Sequence, residues 1–128
     1  SREEEYLQMN KNITVWYLSS CTTCKNILKE LNLNSTNSTL IDIKHNNITT
    51  KELEAIQKTM NCSYEELFNK RAQKYTLMKD SLKNDDDFKQ AILREYTFLK
   101  RPFIQIGDEY FVGNSKAVVE SAKQKLNR

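Results

Sequence analysis

Apolar and polar residues recur along this chain in two rhythms, and each change of rhythm marks an element. "NITVWYL" (12–18) is a short run rich in β-branched and aromatic residues, the pattern of a buried central strand covered on both faces. From Thr22 the spacing turns helical, with Ile27, Leu28 and Leu31 on one side, until the turn-formers of "NLNSTNS" end it. "TLIDI" (39–43) reads as a second strand. A strand-helix-strand unit of this length implies a right-handed crossover between two parallel strands.

From 48 to 98 the pattern is helical. Thr49 with Glu52, and Ser63 with Glu66, have capping-box spacing ahead of the apolar series Leu53, Ile56, Met60 and Leu67, Phe68. "NDDDFKQAILREY" offers Asn84 or Asp85 as an N-cap, acidic residues for the first turn, and then Phe88, Ala91, Ile92 and Tyr96. Beyond it, "PFIQI" and "EYFVG" flank a glycine-containing turn as a hairpin, and "NSKAVVESAKQKL" opens on a capping residue and closes as a helix. The order predicts an α/β fold. Its four-stranded mixed sheet combines two parallel strands with a terminal hairpin, with helices on both faces and an inserted helical subdomain over about 48–98.

With 128 residues, 38% of them apolar, and only two glycines and one proline, the chain reads as one folded domain over 1–128 and not as a disordered or linker sequence. The net charge of +3 comes from 20 basic and 17 acidic residues spread along the sequence, which singles out neither nucleic acid nor membrane as a partner. No apolar window is long enough to span a bilayer. The opening "SREEEYLQMN" is acidic, unlike a secretory signal, so the expectation is a cytoplasmic protein. Residues 1–8 read either as an expression remnant or as a frayed extension.

Three cysteines is an odd count, and in a reducing compartment a CxxC is redox-active or metal-binding more often than a structural staple. Cys21 stands just after a strand, at the first turn of a helix, among backbone N–H groups that favour an anion. There, beside a cation such as Lys25, a thiol loses its proton more readily, which makes Cys21 the candidate nucleophile. Cys24 follows within one helical turn, close enough to resolve an adduct on Cys21. A structural zinc site would need four ligands, and only Cys62 and His45 remain to complete one. A third reading treats both cysteines as small residues incidental to a strand-helix junction.

"YLSSCTTCKNIL", the helical insert and "LKRPFIQIGDEYFVG" together resemble the arsenate reductase (glutaredoxin-dependent)/Spx-like family of the thioredoxin-fold superfamily, over residues 12–126. The resemblance implies a thioredoxin-like fold in which the proline before the third strand is cis and lies against the cysteine loop, so that Arg101 and Pro102 flank Cys21. It carries the nucleophile to Cys21, one arginine to Arg101 and another to Arg71 in "FNKRAQKY". Lys25 stands where the family's cysteine loop has arginine, and "EYFVGNSKAV" supplies no arginine beyond the hairpin.

The substrate- or anion-binding set implied is Lys25, Arg71, Arg101 and Pro102. The activity implied is that of a bacterial thiol-disulfide oxidoreductase or arsenate-reductase-like enzyme acting on a small thiol or oxyanion. It would bind no resident cofactor and draw electrons from glutathione or from a thioredoxin or glutaredoxin. The CxxC form also resembles that of Spx, a redox-sensing regulator that binds RNA polymerase, and of reductase-like relatives, and Spx supplies the alternative function. His45 reads as a solvent-facing loop residue, Cys62 as a buried or spare thiol, and Trp16, Tyr17 and Phe103 as packing residues.

Overall fold

The computed structural model describes residue 2 and residues 12–128, so the reading of residues 1–8 lies almost wholly outside the described residues. The chain divides into two compact units, Ser1–Asp42 with Arg101–Arg128, and Ile43–Lys100.

The first unit is a four-stranded sheet in the order β2-β1-β3-β4. β1 (Ile13–Tyr17) pairs in parallel with β2 (Thr39–Asp42), and antiparallel with β3 (Phe103–Ile106), which forms a hairpin with β4 (Glu109–Val112). The second strand ends at Asp42, one residue short of the "TLIDI" expectation. Between β1 and β2 runs α1 (Thr22–Glu30), the crossover that a parallel pair requires. The hairpin loop is Gly107-Asp108. Gly107 takes φ +63 at the first loop position, a conformation that glycine adopts without the steric cost of a Cβ.

Alternation along the strands puts Ile13 and Val15 of β1 and Ile104 and Ile106 of β3 on one face. There they meet Ile27 and Leu28 of α1 and Val119, Ala122 and Leu126 of α5 (Lys116–Leu126). Both helices of this unit therefore cover the same side of the sheet. Ser115 caps α5 by accepting the Val118 N–H through its hydroxyl, one residue after the Asn114 on which the predicted helix opens.

The second unit carries α2 (Thr50–Met60), the single-turn α3 (Tyr75–Met78) and α4 (Asp85–Arg94). Thr49 and Asn84 each complete a reciprocal capping box, with Glu52 and Asp87. The Ser63–Glu66 box forms too, with the Ser63 N–H on Glu66 Oε2 at 2.7 Å and the Glu66 N–H on Ser63 Oγ at 3.1 Å. It opens only a 3-10 turn, Glu65–Leu67, and not the full helix its spacing predicts. The backbone leaves at Phe68, which turns extended and forms an antiparallel bridge to Leu99, with bonds from Asn69 N–H to Phe98 O and from Lys100 N–H to Leu67 O. The Phe68 ring then meets Tyr75 and Phe88 edge-on and stacks on Phe98, at the centre of this unit's aromatic core.

Candidate active site

β1 runs out at Tyr17, and the chain reverses in a tight turn closed by the Cys21 N–H on the Leu18 carbonyl at 3.0 Å. Cys21 is the N-cap of α1, with extended backbone (φ −92, ψ 110), and the first turn of that helix carries no acidic residue. A cap normally uses the oxygen of Ser, Thr, Asp or Asn to satisfy an orphan N–H. Here the Cys21 sulfur takes that place, accepting the Cys24 N–H at 3.4 Å.

Arg101 reaches the same sulfur from the start of β3, which lies beside β1 with Trp16 opposite Phe103. It precedes Pro102, whose peptide bond is cis, whose side chain is buried, and whose carbonyl accepts the Gly113 N–H at 2.9 Å. Burial opposes ionisation of the Cys21 thiol. Hydrogen bonds from the Cys24 backbone and thiol, together with the charge and a hydrogen bond of Arg101, outweigh it and bring its pKa below the ordinary 9.0.

Cys24 behaves oppositely. It is 0% exposed, and burial pushes its thiol up to about 12. A hydrogen bond to Cys21 and the Cys21 charge push the same way, against the pull of a backbone hydrogen bond from Leu18 and of Arg101. Cys62 belongs to the helical unit. Burial, then Glu66, raises its pKa, with Asp85 adding to the effect. All three cysteines are free thiols, and Cys21 alone among them is poised toward the thiolate.

The structure therefore brings Cys21, Cys24, Arg101 and Pro102 together within the sheet unit. Arg101 acts on Cys21 by charge and by a hydrogen bond, and the neighbouring Lys25 is exposed on the first turn of α1. Arg71 is an exposed residue of the helical unit, its N–H donating to Asn69 Oδ1 at 3.1 Å. His45 is exposed. Among the described residues no group of three or more His, Cys, Asp and Glu side chains is arranged to hold a metal ion, and no helix is long and apolar enough to cross a membrane.

One pair escaped the sequence reading. Ser19, in the turn before Cys21, donates its N–H and its hydroxyl to the carboxylate of Asp42 at the end of β2. An acidic residue closing the strand parallel to β1 was the available signal.

The family model for the ArsC family matches residues 16–122, which include the cysteine turn, the helical unit and the hairpin. This chain belongs to the ArsC family. Solved structures of similar proteins bear out the thioredoxin-like fold of ArsC proteins. A Bacteroides fragilis protein described as related to the ArsC family is 21% identical with a TM-score of 0.72, the match covering 86% of this chain and 96% of that one. An arsenate reductase from Vibrio cholerae is 15% identical with a TM-score of 0.73, covering 86% and 97%. A protein from Staphylococcus aureus COL is 26% identical with a TM-score of 0.70, covering 85% and 96%. No curated protein matches this ArsC-family chain in sequence.

Proposed function

We propose that this ArsC-family protein is a thiol-dependent reductase in which Cys21 is the nucleophile and Cys24 the resolving thiol. The observation that supports it is the opposite displacement of two neighbouring thiols, with the Cys24 N–H on the Cys21 sulfur: Cys21 toward the thiolate, Cys24 buried and held protonated. With a disulfide substrate, the Cys21 thiolate attacks one sulfur, forms a mixed disulfide and expels the other sulfur as a thiolate. That step also removes the negative charge from Cys21. The charge and the hydrogen bond of Cys21 are two of the causes that raise Cys24, so its thiol becomes easier to ionise once the adduct exists.

Cys24 then gives up its proton, attacks Cys21, and releases the second thiolate as the 21–24 disulfide closes. Two electrons from glutathione, or from a thioredoxin or glutaredoxin dithiol, restore the pair. Arg101 offers an anionic substrate its positive charge, which suits a carboxylate or an oxyanion. An arsenate reductase among the similar structures supports an oxyanion as a second substrate class for the same thiolate.

Oxidised glutathione tests the reading. Cys24→Ser should accumulate one glutathione adduct on Cys21, detected by intact and peptide mass, while the wild-type protein passes on to the 21–24 disulfide and Cys21→Ser forms neither. A glutathione adduct on Cys62 alone, or none on any cysteine, would overturn the assignment.

A further inference from the structure

The turn that carries Cys21 is tied to the neighbouring strand by one side chain. Asp42 is the last residue of β2 and lies in parallel register with Tyr17, two residues before Ser19. Its carboxylate receives both polar hydrogens of Ser19, the hydroxyl on Oδ2 at 2.5 Å and the N–H on Oδ1 at 3.4 Å. Ser19 in turn is the second residue of the turn that the Cys21 N–H closes on the Leu18 carbonyl. The direction in which the chain leaves β1, and hence where Cys21 begins α1, depends on how Ser19 is held.

On electrostatic grounds a carboxylate is a poor neighbour for a helix N-terminus that carries a thiolate, because like charge raises a thiol's pKa. The charge that acts on the Cys21 sulfur is that of Arg101, while the Asp42 carboxylate is turned to Ser19. Resting on the reading of Cys21 as nucleophile, we propose that Asp42 is a positioning residue: through Ser19 it fixes the β1–α1 turn so that the sulfur keeps the Cys24 N–H and the Arg101 guanidinium. The hydroxyl contact is short and charge-assisted, and so carries most of the restraint. The longer amide contact fixes the orientation of the Ser19 peptide.

The pH dependence of Cys21 alkylation by iodoacetamide, followed by peptide mass, tests this in the full chain. Losing the alignment of one hydrogen bond to a thiolate raises its pKa by about one unit, so Asp42→Ala should slow Cys21 alkylation about tenfold below the midpoint. Ser19→Ala leaves the carboxylate charge in place and removes the stronger contact, and should slow it roughly threefold. Asp42→Asn keeps an acceptor for Ser19 and should restore most of the wild-type rate. Equal acceleration by Asp42→Ala and Asp42→Asn would mean that only the charge matters and would overturn the proposal, as would unchanged rates in all three variants. If Asp42→Ala does not fold, Ser19→Ala decides alone. A wild-type Cys21 that reacts no faster than Cys62 removes the nucleophile and the positioning role together, whereas a fast wild-type Cys21 with no variant effect removes the positioning role only.

Discussion

The Cys24 N–H points at the Cys21 sulfur from 3.4 Å, and the Cys24 thiol sits behind it, fully buried. One residue thus stabilises its partner's charge with its backbone and withholds its own with its side chain. The same helical turn favours the thiolate on one cysteine and the protonated thiol on the other.

Alkylation should therefore separate the three thiols. Iodoacetamide is expected to modify Cys21 first, with a midpoint below pH 9, while Cys62 follows above it and Cys24 stays protected in the folded protein. Peptide mass mapping across pH 6–10 reads all three. Equal rates at every pH would contradict the ordering.

Arg101 lowers the Cys21 pKa by charge and by a hydrogen bond, and its removal should raise it. A rise of about one unit makes Arg101→Ala about tenfold slower to alkylate at Cys21 near pH 7, with Arg101→Lys intermediate because it keeps the charge. Measured midpoints that coincide in all three proteins would remove Arg101 from the site.

Cys24 links the site to stability. Its folded pKa of about 12 lies above the ordinary 9.0, so between those values the folded chain holds a proton that the unfolded chain releases. Stability due to this group is complete below about pH 9 and falls as pH rises toward 12, by at most roughly 1.4 kcal/mol per pH unit. Urea unfolding from pH 8 to 10.5 should decline less steeply for Cys24→Ala than for wild type. Parallel curves would rule the contribution out.

In the helical unit the weight of the packing falls on Phe68, 1% exposed and in ring contact with Tyr75, Phe88 and Phe98. Phe68→Ala should cost about 3–5 kcal/mol by urea titration. Leu77, which is 86% exposed, should tolerate the same change within about 0.5 kcal/mol.

Much of this was legible in the residues because the signals were local. The strand rhythm of 12–18, the capping box at Thr49, the N-cap offered at Asn84 or Asp85 and the glycine turn at 107 each act over a few residues: the strand forms over 13–17, the box closes at Thr49, the cap falls on Asn84 and the turn on Gly107. The Ser63–Glu66 box shows the limit. The box forms, but a bridge from Phe68 to Leu99, 31 residues away, draws the chain out of the helix. Spacing along the chain offers only Lys25 as a cation beside Cys21, whereas Arg101, which the family resemblance places there, reaches the sulfur because β3 pairs with β1. Asp42 and Ser19, 23 residues apart, meet only once β2 lies beside β1.

The most direct test of the account is where the first disulfide forms. The reduced wild-type protein, treated with one equivalent of a mild oxidant near pH 7 and digested without reduction, should yield the Cys21–Cys24 disulfide as its main product, with Cys62 still free. A product distributed among all three cysteines, or a pair that stays reduced while Cys62 oxidises, would contradict the assignment of Cys21 and Cys24 as a nucleophile and its resolving thiol.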